Sequence, residues 1–166
     1  MRDCCKVPEP VVAADDRCRQ CGGKGRLVLR ETMESLLKPE ALGRLADEPY
    51  SFDRSPDCDV VYYSNEAGSY FLKDDLTVRV GMKETKSPIF LCYCFGHTEE
   101  SVRDEFATTG RSTVAESINA EVQAGNCACD VKNPSGNCCL GDVNRAVLRM
   151  QQRVREEKPV AHMERG

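Results

Sequence analysis

The cysteines constrain this chain more than any other feature. Eleven fall within 166 residues, at Cys4-Cys5, Cys18-x-x-Cys21, Cys58, Cys92-x-Cys94, Cys127-x-Cys129 and Cys138-Cys139. Apolar residues, cysteine included, make up 40% of the chain, charged residues 30%, and tryptophan is absent. Without its cysteines the chain has little material for a core, so metal–ligand bonds are expected to help hold the fold. No apolar run approaches the ~20 residues of a membrane span, so no membrane insertion is expected. The opening MRDCCKVPEPVVAADD lacks the apolar stretch of a secretory signal. A cytoplasmic, reducing setting is therefore expected, where clustered cysteines serve as metal ligands rather than disulfides. The net charge of −4 argues against nucleic acid as a partner, because phosphate binding relies on clustered Lys and Arg.

The pattern predicts an α+β chain. Residues 1–16 are expected to form a flexible leader carrying Cys4 and Cys5, and residues 158–166 a disordered tail. Between them, a zinc-knuckle unit with a short antiparallel sheet is expected over 17–86. A helical unit holding a [2Fe–2S] cluster is expected over 87–157. In the first unit CRQCGGKGRLVLR is a two-cysteine turn running into a strand, and ETMESLLKPEALGRL a helix broken or bent at Pro39. DVVYYS, SYFLKD and LTVRVGM read as three strands, separated by NEAG and DD. In the second unit a helix is expected from near Thr98 to Gly110, with Val102 and Phe106 on one face. Another opens on the capping box Thr113-x-x-Glu116, carries Val114, Ile118 and Val122, and ends at Gly125. Asp142 is expected to cap a third, with Val143, Ala146, Val147, Met150 and Val154 inward.

Cys92 and Cys94 end an extended connector, where residues two apart point to the same side, so two thiolates can converge. A helix start follows, and its amide groups favour negative charge. Four cysteinates drawn from this pair and the distant NCACDVKNPSGNCCLGD loop suit a [2Fe–2S] cluster. A Cys4 site is equally acceptable to zinc, and spacing does not separate the two. The Cys18-x-x-Cys21-Gly-Gly knuckle needs a second half, expected from SFDRSPDCDVV with Cys58, Asp53, Asp57 and Asp59.

CYCFGHT, a helix pair, then C-x-C and NPSG-x-CCLGDV together resemble the amino-terminal domain of CopZ-type copper chaperones. Their second half is also similar to the bacterioferritin-associated ferredoxin family. The resemblance runs from about residue 18 to about residue 150. It implies a [2Fe–2S] cluster on Cys92, Cys94, Cys129 and Cys139, with Cys127 and Cys138 as alternates. Only one of the adjacent Cys138 and Cys139 is expected to ligate, since neighbouring side chains point apart. It further implies zinc on Cys18, Cys21 and Cys58. Asp53 stands where the family pattern has a further cysteine, and a carboxylate is an acceptable zinc ligand; Cys4 or Cys5 is the alternative fourth ligand. CopZ-type chaperones carry a further copper-binding domain with a GM-x-C-x-x-C loop, which nothing after residue 150 resembles.

The expected function is metal handling, for copper or a related soft metal, as an electron-transfer or metallochaperone module. Soft ions such as Cu(I) and a redox or metal-transport protein are the expected partners. Two rival readings are a small ferredoxin docking on an iron-storage or reductase partner, and a structural two-zinc adaptor. The ferredoxin reading would use the basic face of Arg145, Arg149, Arg153 and Arg155. No nucleophile–base pair or dinucleotide fingerprint is present, and GGKG precedes a strand rather than a helix, so enzymatic activity is not expected.

Overall fold

The computed structural model describes residues 17–157; Cys4, Cys5, the leader and the tail lie outside them. The chain is α+β. Four short antiparallel strands lie in the order β1-β2-β3-β4: β1 (Arg26–Val28), β2 (Tyr50–Phe52), β3 (Val60–Ser64) and β4 (Ser69–Leu72). Between β1 and β2 run α1 (Arg30–Leu36) and α2 (Pro39–Leu42). The break between the helices falls where Pro39 forces its predecessor into extended backbone, and Lys38 has ψ 153°. One face of the sheet closes a core of Val28, Met33, Leu37, Phe52, Val61, Tyr62, Phe71 and Val80.

The second half begins with the small β5 (Phe90–Cys92) and β6 (His97–Thr98) pair, followed by α3 (Glu99–Thr109) and α4 (Val114–Gln123). A four-residue α5 (Cys129–Lys132) and the long α6 (Leu140–Glu157) complete it. Val102, Phe106, Val114, Ile118, Val143 and Met150 form the apolar centre, with Cys92, Cys129 and Cys139 buried among them.

Three local expectations are corrected. LTVRVGM is not a strand. Asp75 Oδ2 accepts the Leu72 amide and turns the chain through Lys73–Asp75. The chain then runs against the end of α1, where the Thr77 amide and hydroxyl both donate to the Leu36 carbonyl. The segment thus satisfies the end of a helix instead of extending the sheet. The Thr113 capping box does not form, because Glu105 of α3 draws off the Thr113 amide and hydroxyl (2.9 and 2.6 Å). Ser112 Oγ receives the Val114 amide instead. Asp142 does not cap α6. The helix starts two residues earlier, the Val143 amide donates to the Cys139 carbonyl, and Asp142 pairs with Arg145 in the first turn.

The halves meet through α1 and β3 against α5 and the loop that follows it. Thr32 Oγ1 donates to the Asp130 carbonyl at 2.5 Å, and Tyr62 Oη donates to the Pro134 carbonyl at 2.6 Å. Thr32 and Tyr62 are fully buried. Gly136 lies so close to α1 that a Cβ there would meet Thr32 Oγ1 at 3.0 Å, and its φ of +69° is one side chains rarely adopt. A buried carbonyl that loses its donor keeps the whole desolvation penalty. Tyr62→Phe is therefore expected to cost about 1–3 kcal/mol, read as a lower urea midpoint at unchanged m-value.

Candidate metal centres

The first centre is assembled from two loops at one end of the sheet. Cys18 and Cys21 sit on the knuckle before β1. It closes through Cys18 N–H to the Gly23 carbonyl (2.9 Å) and Gly22 N–H to the Cys18 carbonyl (2.7 Å). Gly22 supplies the positive φ of +73° that this turn requires. Gly23 N–H points at Cys21 Sγ, 3.4 Å away. Asp53 and Cys58 flank the loop between β2 and β3, anchored where Asp53 N–H meets the Val61 carbonyl. Ligand atoms of Cys18, Cys21, Asp53 and Cys58 all lie within 4.8 Å of one another. Three thiols and one carboxylate so placed fit a four-coordinate zinc ion.

Charge in this centre is strongly managed. Burial alone would raise the Asp53 carboxyl. Hydrogen bonds from the Cys18 thiol, the Ser55 amide and the Cys21 thiol, together with the Lys83 ammonium, hold it below the usual carboxylate range instead. Burial pushes the Cys18 thiol up to about 12, reinforced by its hydrogen bond to Asp53. Cys58 is raised as well, again chiefly by burial. Sequence reasoning missed Lys83, whose Nζ lies 3.3 Å from Asp53 Oδ1. Nothing in VGMKETK distinguishes it from a surface lysine.

The second centre is assembled from three places. Cys92 ends β5, Cys94 lies in the turn to β6, Cys129 opens α5 and Cys139 stands just before α6. Cys94 Sγ is 3.5 Å from Cys129 Sγ, and Cys92, Cys129 and Cys139 are buried in the same cluster with Cys94 packed against it. The hydrogen bond from Cys139 brings Cys92 down to about 7 and Cys129 to about 6. Cys139 is pushed far up by the same two partners, and burial raises Cys94 to about 12. Backbone amides supply further donors, including Ala128 N–H to Cys94 Sγ at 3.2 Å. Four cysteines gathered in one cluster, with amide donors directed at their sulfurs, are a donor set that fits an iron–sulfur cluster. The extended-strand argument is corrected: the extended backbone ends at Cys92, and Cys94 lies in the turn between β5 and β6. It did not foresee that Cys129 would belong to a helical turn.

The alternates stand apart. Cys127 is disulfide-bonded, a departure from the all-reduced expectation. Cys138 is half-buried and faces a cleft with Arg26, Arg54 and Met82, on the other side from Cys139. The NPSG segment acts as a structural clasp: Asn133 Oδ1 accepts from the Ser135 amide and hydroxyl (both 3.1 Å). Asn133 Nδ2 donates to the Asn137 carbonyl at 2.9 Å. This clasp sets the distance between Cys129 and Cys139. His97 pairs with Cys92 across the β5–β6 ladder. Among the described residues no helix is long and apolar enough to cross a membrane.

Residues 15–77 match the zf_CopZ family, described as a zinc binding domain. Over 129 residues the chain is 32% identical to the copper chaperone CopZ of Archaeoglobus fulgidus, covering 78% of this chain and 60% of that protein. The chain thus spans about three-fifths of the length of the curated relative it matches. The X-ray structure of the CopZ N-terminal domain from the same organism superposes with a TM-score of 0.65 at 29% identity, over 78% of this chain and 95% of that one. Residues 15–77 therefore match a CopZ-type zinc-binding domain, in a chain whose α+β fold is similar to that of the CopZ N-terminal domain.

Proposed function

We propose that this chain is a metal-handling module with two resident centres: zinc on Cys18, Cys21, Asp53 and Cys58, and a [2Fe–2S] cluster on Cys92, Cys94, Cys129 and Cys139. The observations that carry the reading are the ligand group of Cys18, Cys21, Asp53 and Cys58 and, apart from it, the buried Cys92, Cys129 and Cys139 with Cys94 Sγ 3.5 Å from Cys129 Sγ. On this reading the protein is a non-enzymatic, cytoplasmic carrier. It serves Cu(I) or a related soft ion and meets a redox or metal-transport partner, as the name of its relative suggests.

The first centre is structural. Its thiols and carboxylate tie the knuckle to the β2–β3 loop, and a bound ion would close the open end of the sheet. The second centre has a different build. Its sulfurs lie among apolar side chains, and α1 fixes the Cys129 loop from outside. A [2Fe–2S] group there supplies one-electron chemistry. The protein's part is to hold four sulfurs in place, aim amides at them and exclude water. The relative is a copper chaperone, and an electron held beside a soft-metal route suits keeping copper in its Cu(I) form.

Protein purified without oxygen is expected to be reddish-brown, with iron and acid-labile sulfide in equal amounts and one zinc. Cys92→Ser, Cys94→Ser, Cys129→Ser and Cys139→Ser should each bleach or shift the visible spectrum, whereas Cys138→Ser should leave it intact. A colourless protein with two zincs would replace this reading by the structural adaptor. A second expectation follows from the thiols. Cys18 and Cys58 hold their protons well above neutral pH in the metal-free site, so zinc must displace them. Calorimetry in buffers of different ionisation enthalpy should show protons released on zinc uptake, with affinity rising as pH rises. Proton release near zero would rule out these thiols as the ligands.

A further inference from the structure

A thiolate offers a metal one donor atom, whereas a carboxylate offers two oxygens. When a carboxylate replaces a thiolate in a buried site, its second oxygen needs a partner of its own. Asp53 is 1% exposed, so both its oxygens face this requirement. Oδ2 faces the thiols, 3.2 Å from Cys21 Sγ. Oδ1 is already taken, by the Ser55 amide at 2.7 Å and by Lys83 Nζ at 3.3 Å.

Lys83 is built for this task. Its side chain is 0% exposed, and among the described residues it is the one buried Lys or Arg. Its other donors go to the Ser55 carbonyl at 2.7 Å and the Cys58 carbonyl at 3.0 Å, so all three ammonium hydrogens have acceptors. Lys83 thereby grips the ligand loop along its length, through a carboxylate oxygen and two carbonyls rather than through a sulfur. It also brings a positive charge to a site where three thiolates and a carboxylate outweigh a divalent ion.

Resting on the zinc reading above, we propose that Lys83 is a positioning residue that makes Asp53 a one-oxygen zinc ligand. It occupies Oδ1, leaves Oδ2 for the metal and offsets the surplus negative charge. The Asp53–Lys83 pair then acts as one unit in the place of a fourth cysteine. Lys83 should matter only while position 53 is a carboxylate.

The test is a double-mutant cycle on the full chain, with zinc affinity measured by competition with a chromophoric chelator and cobalt(II) as the spectroscopic probe. Lys83→Met should weaken zinc binding by about tenfold or more, the scale on which groups behind metal ligands act. It should also shift the cobalt ligand-field bands. In an Asp53→Cys background the same substitution should change zinc affinity by less than about threefold and leave the bands in place, as two independent groups would not. Lys83→Gln, which keeps hydrogen-bonding capacity without the charge, serves if Lys83→Met does not fold, and should behave like it. Equal loss in both backgrounds would reduce Lys83 to a general support of the fold and overturn the proposal. Wild-type affinity and spectrum in Lys83→Met would overturn it too. Failure of the unaltered protein to bind zinc at all is a separate outcome, which sinks the zinc reading itself.

Discussion

Two buried hydroxyls, on Thr32 and Tyr62, hold α5, which begins at Cys129, and the loop after it. Each donates to a carbonyl across the seam between the sheet and the helices. Such bonds add only about 0.5–1.5 kcal/mol each to stability. Their placement matters more, because they tie α5 and the start of the 133–137 clasp to α1 and β3, between Cys129 and Cys139 in the chain. The second centre is therefore not a free-standing knot of cysteines. It is partly a product of the sheet, although no metal ligand of the sheet reaches it.

The two centres solve the problem of concentrated negative charge by different means. At the first, a fixed cation and a hydrogen-bonded carboxylate surround the thiols, and Cys21 stays exposed. At the second, the sulfurs rely on backbone amides and on one another, and among the described residues no lysine or arginine hydrogen-bonds to them. Fixed counter-charge suits an ion whose charge does not change. Amide dipoles in an apolar setting suit a group whose charge varies by one, since dipoles stabilise negative charge without pairing it permanently.

Much of this was legible in the chain. The C-x-x-C-G-G turn and the Pro39 break follow from local rules, and the structure places both as those rules require; the C-x-C is extended only as far as Cys92, with Cys94 in the turn that follows. The choice of Asp53 over Asp57 and Asp59 came from a family resemblance, and the structure brings Asp53 alone of the three into the ligand group. What was hidden depended on partners distant in sequence. LTVRVGM alternates like a strand, yet the unsatisfied Leu36 carbonyl forty-one residues away in sequence claims its Thr77. Thr113-x-x-Glu116 reads as a capping box, yet Glu105 reaches it first. Lys83, Thr32 and Tyr62 have no local signature, because their role is set by what folds against them.

Of the four sulfurs in the second centre, those of Cys92, Cys129 and Cys139 are sealed, whereas Cys94 is only half-buried. Water therefore meets this group from one side. Solvent polarisation lowers the energy of charge most where it comes nearest, so negative charge on these sulfurs is eased most at the Cys94 end. The turn between β5 and β6, which carries Cys94 and is only four residues long, gives an otherwise closed centre a front and a back.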